Sequence, residues 1–310
     1  MKAWQFEGEG KPISLNEVPE PTPGPGEVVI DVKAAGLCHS DIMYMERGES
    51  MPFHPMTQGH ENAGVISALG EGVEGWKIGD VVGVCSSGVR PPLGMFTHGG
   101  FADKLVADAP DLARVPEGLD LALAALATDA GMTSYHAIIK EGRATTGMKV
   151  GVIGFGGLGQ IGARAAVLAG AEVHVAETKE SVWDLARNAG ATGLVRDASE
   201  WAGQGFDLVV DYAGFDTTQK ALDAIKRGGT VVQVGLGLPT FTVNTPNILG
   251  RTLVGSLGGT VQDIEEVFDL LLAGEIQPAY TAIAFEEIGD GLERLRRNEV
   301  TGRLVARFGD

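Results

Sequence analysis

Through the first 110 residues, apolar positions come in short runs separated by turn-forming residues. EVVIDVKAAG, from Glu27, alternates apolar and polar side chains and reads as a strand that stops at Gly36. ENAGVISALG and GDVVGVC read as further strands of the same β-rich unit, and the proline-rich EVPEPTPGPGE as a rigid connector ahead of it. Near Leu119 the period changes. LDLALAALATDAGMTSYHAIIKEG repeats its apolar residues at helical spacing. From Lys149 the valine-rich segments KVGVIG, EVHVAE, FDLVVDYAG and GGTVVQVG alternate with helical stretches, the pattern of a parallel sheet with crossover helices. Near Leu257 the chain leaves that sheet: VQDIEEVFDLLLAG is an amphipathic helix and TGRLVARFGD returns to strand. The expected architecture is α/β, with a β-rich domain from residues 1–130 and 258–310 and a dinucleotide-type domain, 131–257, inserted in it.

At 310 residues the chain has room for two domains. Its 24 Lys and Arg against 41 Asp and Glu give a formal charge of -17, which disfavours nucleic acid and anionic membrane as partners and suits a small neutral substrate. The charge-free stretch Val150–Ala163 is glycine-rich and shorter than the ~20 apolar residues that span a bilayer. MKAWQFEGEG has no apolar signal core, so a cytoplasmic protein is expected. The two cysteines, Cys38 and Cys85, exclude a four-cysteine metal site; any metal must use mixed ligands. The 46 glycines follow no fixed period, which points to turns and close cofactor approach rather than a repeat or a linker.

Gly154, Gly156 and Gly159 form a G-x-G-x-x-G directly after the strand KVGVI and ahead of the helix QIGARAAVLAG. That order lets the backbone of the loop, including Gly157 and Leu158, approach a pyrophosphate at the helix amino terminus. Glu177, 18 residues after Gly159, is placed to accept hydrogen bonds from the adenosine ribose hydroxyls and to repel a 2′-phosphate. NAD is therefore the expected cofactor. Lys179 keeps NADP as the alternative, because its ammonium could reach that phosphate. Val234, at the end of GGTVVQVG, is a further candidate cofactor contact.

Cys38 stands in GLCHSDI after a strand, and His60 and Glu61 stand in GHENAGVI just before another. Taken singly, each is as well explained by a small core thiol or a hydrogen-bonded structural histidine. Together with GEGVEGWKIGD, GGFA, ATDAG and GFGGLG in one order, they resemble the zinc-containing medium-chain dehydrogenases of the alcohol dehydrogenase superfamily, over essentially the whole chain. The likeness is strongest to bacterial secondary alcohol dehydrogenases that use aspartate in place of a second cysteine ligand.

The resemblance implies a GroES-like β-rich catalytic domain and a doubly wound Rossmann coenzyme domain. It puts the catalytic zinc ligands on Cys38, His60 and Asp129, where composition alone would also allow Asp129 to be a helix N-cap. Glu61 would lie beside the metal as an occasional further ligand, and Asp41 would orient His60. Zinc lowers the pKa of bound water from 15.7 to about 7, and a comparable shift on an alcohol is worth on the order of 12 kcal/mol. Ser40 matches the hydroxyl that takes the alcohol proton; Met43 occupies the place of a relay histidine found in many relatives, leaving water or His39 as the exit. Arg303 matches an arginine that reaches the cofactor phosphates. Relatives dimerise through the edge of the nucleotide sheet, here near Thr252–Gly259, and some pair again into tetramers.

Between Cys85 and Gly99 many relatives carry a four-cysteine lobe around a second zinc, whereas this chain has only CSSGVRPPLGMFTH, so one zinc per subunit is expected and Cys85 is a leftover strand-end residue. The shortened loop should widen access to a pocket for which Met43, Phe53, His54, Met95, Phe96 and Leu257 are candidates. Their apolar character favours an aliphatic or aromatic alcohol or carbonyl over a polyol. His98, His136 and His174 are assigned no chemistry. Three rivals stand beside this reading: a zinc-free quinone or enoyl reductase, a sorbitol-type polyol dehydrogenase, and a non-catalytic NADPH-binding structural protein.

Overall fold

The computed structural model describes residues 1–8, 10–46, 51–89, 91–238 and 240–309. The chain divides into two units, one of Met1–Ala130, Thr260–Ala273 and Tyr280–Asp310, the other of Gly131–Gly259 and Gly274–Ala279. The second stretch of the latter interrupts the expected carboxy-terminal return. Its place there has a polar cause: the Gln160 side chain accepts from the Ala279 N–H at 2.7 Å and donates to the Ala279 carbonyl at 3.1 Å.

In chain order the first unit begins with β1 (Lys2–Phe6), β2 (Ser14–Glu17), β3 (Glu27–Leu37), α1 (His39–Glu46), β4 (Met56–Thr57), β5 (Glu61–Leu69), β6 (Val81–Val84), β7 (Lys104–Asp108), β8 (Leu112–Arg114) and α2 (Leu121–Leu126). The second unit follows with α3 (Met132–Tyr135), β9 (Lys149–Ile153), α4 (Gly159–Leu168), β10 (Glu172–Ala176), α5 (Trp183–Asn188), β11 (Gly193–Val195), β12 (Phe206–Asp211), α6 (Thr218–Ala224), β13 (Ile225–Gln233), α7 (Thr245–Ile248) and β14 (Thr252–Gly255). The chain then supplies the first unit with α8 (Val261–Leu272), β15 (Tyr280–Ala284), α9 (Ile288–Arg296) and β16 (Arg303–Arg307). No helix among the described residues is long and apolar enough to cross a membrane.

In the first unit the main sheet runs β15-β16-β3-β5-β6-β8, with β7 also paired to β3, and a smaller sheet runs β2-β1-β4. Phe6, Ile30, Leu37, Ile66, Phe101 and Leu304 lie in its core. The terminal segment joins by antiparallel pairing of β16 with β3, Leu304 opposite Leu37. In the helix α8, Ile264, Val267, Phe268 and Leu271 form the buried stripe, spaced three and four residues apart.

The helical region that starts at α2 is capped by Asp120, whose carboxylate accepts from the Ala122 N–H at 2.8 Å. Asp129 therefore has no N-cap to form. It lies inside a π-helical segment, Ala127–Gly131, which separates α2 from α3. A second π-helical segment spans His136–Glu141.

In the second unit the parallel sheet has the order β11-β10-β9-β12-β13-β14. Its central strands are nearly continuous runs of valine and isoleucine because helices cover both faces. The order reverses between β9 and β12, and a ligand crevice is expected at the carboxyl ends of strands flanking such a reversal.

The strand predicted to stop at Gly36 continues through it to Leu37. Gly36 stands opposite Glu61 across the β3–β5 pairing, and a Cβ there would fall 1.8 Å from Glu61 Oε2. The glycine marks a close approach, not a terminus. Gly36→Ala is expected to destabilise the protein by about 1–3 kcal/mol, the usual cost of overpacking; an unchanged denaturant midpoint would show that the Glu61 carboxylate is free to retreat.

Candidate functional site

Three adjacent strand ends and one helical turn build a polar cluster inside the first unit. Cys38 follows the last residue of β3, Glu61 opens β5, and pairing of Leu304 with Leu37 brings Arg303, at the start of β16, level with Cys38. The π-helical segment contributes Asp129. One ligand atom from each of Cys38, His60, Glu61 and Asp129 lies within 4.8 Å of all the others.

Burial makes the arrangement expensive unless its charges are matched. Cys38 is 6% exposed, His60 2%, Glu61 0% and Arg303 3%. The Arg303 guanidinium donates to Glu61 Oε1 and lies 3.4 Å from Asp129 Oδ2. Burial pushes the Glu61 carboxyl well up, and the nearby Asp129 and Cys38 charges push the same way, against the pull of Arg303. Asp129 shows the opposite result: burial opposes its ionisation, but His60, Arg303 and a hydrogen bond from Glu61 hold it well below the usual carboxylate range. The Cys38 thiol is held below its ordinary value because Arg303 and His60 outweigh desolvation.

Asp41 links the two halves of the cluster. Its Oδ2 accepts the Cys38 N–H at 2.9 Å, and its Oδ1 lies 3.0 Å from His60 Nδ1. A carboxylate can only accept, so that contact puts a proton on Nδ1 and leaves Nε2 facing the cluster. Despite burial, which disfavours the charged imidazole, the carboxylates of Asp41 and Asp129 raise His60 well above its ordinary value. His60 Nε2 and Asp129 Oδ2 are 3.4 Å apart. That is long for a hydrogen bond, but it matches the roughly 3.3–3.8 Å between neighbouring donors on a tetrahedron with bonds of about 2.0–2.3 Å. Glu61 Oε2 and Arg303 Nε are buried without a hydrogen-bond partner. A thiolate, an imidazole and carboxylates around an unsatisfied buried oxygen fit a divalent zinc ion.

Ser40 and Met43 are half-buried on α1, close in sequence to Cys38. His39, in the same turn, is held below the ordinary histidine range by desolvation and by the Arg303 charge. Among the pocket candidates, Phe96 packs edge-on against Tyr44 at 6.0 Å and Phe53 against His98 at 5.0 Å, while His54 turns to Phe6 at 5.3 Å. Met95 is half-buried. Leu257 belongs to the second unit and is 83% exposed. His98 has a structural part: its Nδ1 accepts the Thr57 N–H at 3.1 Å.

In the second unit the three glycines of the loop answer to different needs. Gly154 has φ +86°, a left-handed conformation that favours glycine, and a Cβ on Gly159 would lie 1.9 Å from the Gly154 carbonyl oxygen. Gly156 has open space where its Cβ would be, so nothing in the protein requires glycine there. A phosphate approaching the backbone would. Gly157 and Leu158 are half-buried beside it. Glu177 takes the Phe155 N–H on Oε2 and the Lys179 N–H on Oε1, both at 2.7 Å, binding the glycine loop to the turn after β10. Val234 continues β13, donating to the Asp211 carbonyl at 3.0 Å. Arg303, which the resemblance assigned to the cofactor phosphates, sits in the first unit with its guanidinium drawn in by buried carboxylates.

Sequence reasoning missed two members of the site. Thr128 and Asn62 are both fully buried beside the ligand residues and are joined by a hydrogen bond from the Asn62 N–H to Thr128 Oγ1 at 3.1 Å. Their only signal was adjacency to His60–Glu61 and to Asp129.

A buried cluster of metal-ligating side chains and a glycine-loop parallel sheet in one chain are the plan of a two-domain dehydrogenase. Residues 24–117 match the model of the alcohol dehydrogenase GroES-like domain, and residues 157–273 that of zinc-binding dehydrogenases. The chain is 31% identical to an alcohol dehydrogenase of Moraxella sp. strain TAE123 over 334 residues, covering 98% of each. It is 29% identical to the NADP-dependent alcohol dehydrogenase C 1 of Mycolicibacterium smegmatis, covering 98% of this chain and 97% of that one. Among solved structures, acetophenone reductase from Geotrichum candidum in complex with NAD superposes with a TM-score of 0.91 at 31% identity, covering 100% of this chain and 97% of that one. The chain belongs to the zinc-type medium-chain alcohol dehydrogenase family, with a GroES-like domain and a Rossmann-type domain, and is an NAD(P)-dependent oxidoreductase of alcohols and carbonyls.

The Arg303 pairing generates a direct test. Arg303→Met removes a positive partner that pairs with both Glu61 and Asp129, and is expected to cost about 3–5 kcal/mol in urea unfolding, the range for breaking a buried pair. A loss below about 1 kcal/mol, the usual worth of an exposed pair, would show that the guanidinium is not needed for charge balance.

Proposed function

We propose that this chain is a one-zinc, NAD-dependent alcohol dehydrogenase acting on aliphatic or aromatic, primary or secondary alcohols and their carbonyl partners. The observation that carries the reading is the convergence of Cys38, His60, Glu61 and Asp129 within 4.8 Å in a buried setting. Cys38, His60 and Asp129 would hold the ion, with Glu61 adjacent as a reserve ligand and Asp41 fixing the His60 tautomer. Zinc supplies the Lewis acidity that acidifies a hydroxyl and polarises a carbonyl. The donor set supports this assignment: a dication would balance the Cys38 thiolate and the Asp129 carboxylate, with His60 neutral.

Ser40 would receive the alcohol proton. The glycine loop would take the pyrophosphate, and Glu177 would face the ribose hydroxyls while continuing to hold the Phe155 N–H. A carboxylate already committed to two backbone donors has little room to turn away from a 2′-phosphate, which favours NAD over NADP. The chain has only two cysteines, so a four-cysteine second zinc site is not open to it. A homodimer along β14 is part of the reading, since that strand pairs only with β13 among the described residues. The exposed rings of Phe53 and Phe96 favour an apolar substrate.

Metal analysis is expected to find one zinc per chain. Stripping it with a chelator should abolish alcohol oxidation, and Asp129→Ala should lose both zinc and turnover. Full activity in the metal-free protein would sink the mechanism, and tight zinc in Asp129→Ala would reassign the third ligand. For the cofactor, kcat/KM with NAD is expected to exceed that with NADP by about 100-fold or more, a difference worth roughly 2.7 kcal/mol, and Glu177→Gln should narrow the gap. Preference of the native enzyme for NADP would overturn the role given to Glu177.

A further inference from the structure

We infer that Thr128 is a positioning residue for the metal, tying the turn that carries Asp129 to the turn that carries His60; this rests on the ligand assignment proposed above. Thr128 is fully buried, one residue before Asp129 in the π-helical segment. Its hydroxyl donates to the Ala125 carbonyl at 2.7 Å, a common local bond for a threonine in a helix. Its second use is not local. The same oxygen accepts the Asn62 N–H at 3.1 Å, across 66 residues, from the second residue of β5.

Asn62 passes the constraint on. Its Nδ2 donates to the Gly59 carbonyl at 3.1 Å, and Gly59, at φ +96°, makes the turn that presents His60. Two glycines clear the way for these side chains. A Cβ on Gly83 would lie 2.7 Å from the Thr128 methyl, and one on Gly100 would lie 2.0 Å from Asn62 Oδ1. A short path therefore runs from Asp129 through Thr128 and Asn62 to Gly59 and His60, through two fully buried side chains.

The geometry gives this path a purpose. A π-helical segment contains a wider turn than an α-helix, and such turns occur where a side chain must be aimed out of its regular register. Without a lateral tie the segment could relax toward α-helical geometry and swing Asp129 away. The Thr128 hydroxyl fixes it to the strand that follows His60, and so holds the 3.4 Å separation of His60 Nε2 and Asp129 Oδ2. The threonine touches neither metal nor substrate; it acts through the backbone of its neighbour.

The test uses Co²⁺ as the probe in the full-length, metal-stripped protein. Thr128→Ser keeps the hydroxyl and Thr128→Ala deletes it, so the pair isolates one oxygen. Thr128→Val repeats the comparison at wild-type volume should the alanine variant fail to fold. Co²⁺ affinity is read by competition with a chromogenic chelator, coordination from the visible spectrum, and folding of the metal-free proteins from circular dichroism. The serine variant is expected to bind like the parent. The alanine or valine variant should bind about 10- to 100-fold more weakly, with an altered cobalt spectrum, as when a group supporting a metal ligand is removed. Equal affinity and spectrum in the serine and alanine proteins would overturn the inference, even if the alanine protein melted earlier, because thermal loss alone is what a purely structural threonine would give. Failure of the parent to bind Co²⁺ would instead sink the ligand assignment beneath it.

Discussion

A guanidinium buried to 3% exposure is the constraint on which the first unit depends. Arg303 has no solvent to screen it, so its charge must be answered inside the protein, and Glu61 and Asp129 answer it. Those carboxylates in turn crowd Cys38 and His60 into a space where each shifts the ionisation of the others. Such an arrangement is a poor stabiliser by itself, since burying several ionisable groups costs more than most of their pairings return. Its persistence in a fold otherwise sealed by valine, leucine and phenylalanine makes sense if a dication completes it.

Backbone register does the assembly. Antiparallel pairing sets Leu304 opposite Leu37 and Glu61 opposite Gly36, which gathers Arg303, Cys38 and Glu61 at one end of these strands. A one-residue slip would send each to the opposite face. Gly36 permits the closest of these approaches, and Asp41 couples the start of α1 to the His60 ring. The cluster thus belongs to the sheet as much as to its own side chains. This explains why the last strand of the unit, far along the chain, contributes to a site otherwise composed of the first 130 residues.

Much of the plan was legible in the sequence because it rests on periodicity. Strands β3, β5, β6, β9, β10, β12, β13 and β16 and the helix α8 fall where their apolar spacing placed them, and the glycine loop was recognisable from its position between a strand and a helix. What escaped has physical reasons. Gly36 read as a strand end because glycine's commonest use is in turns, whereas here it vacates volume for a carboxylate. The π-helical segments at Ala127–Gly131 and His136–Glu141 share the composition of α-helix and differ only in hydrogen-bond register, which leaves no mark on an apolar period. Arg303 sits in a strand whose alternation suits a solvated residue equally well; only pairing with β3 shows that it turns inward. Thr128 and Asn62 are ordinary polar residues whose importance lies in a contact across 66 positions.

The short loop after β6 is gathered on one buried carboxylate. Asp111, 4% exposed, accepts the Val89 N–H on Oδ1 at 2.7 Å, and its own carbonyl accepts the Cys85 N–H at 2.8 Å. Gly88 passes so near that a Cβ would fall 2.0 Å from Asp111 Oδ1. One buried carboxylate therefore gathers both the start of the loop and its first turn. A longer excursion would carry a larger closure entropy and more backbone to satisfy, which is where a metal or a disulfide becomes useful. Phe96 packs against Tyr44 on α1, the helix that begins directly after Cys38.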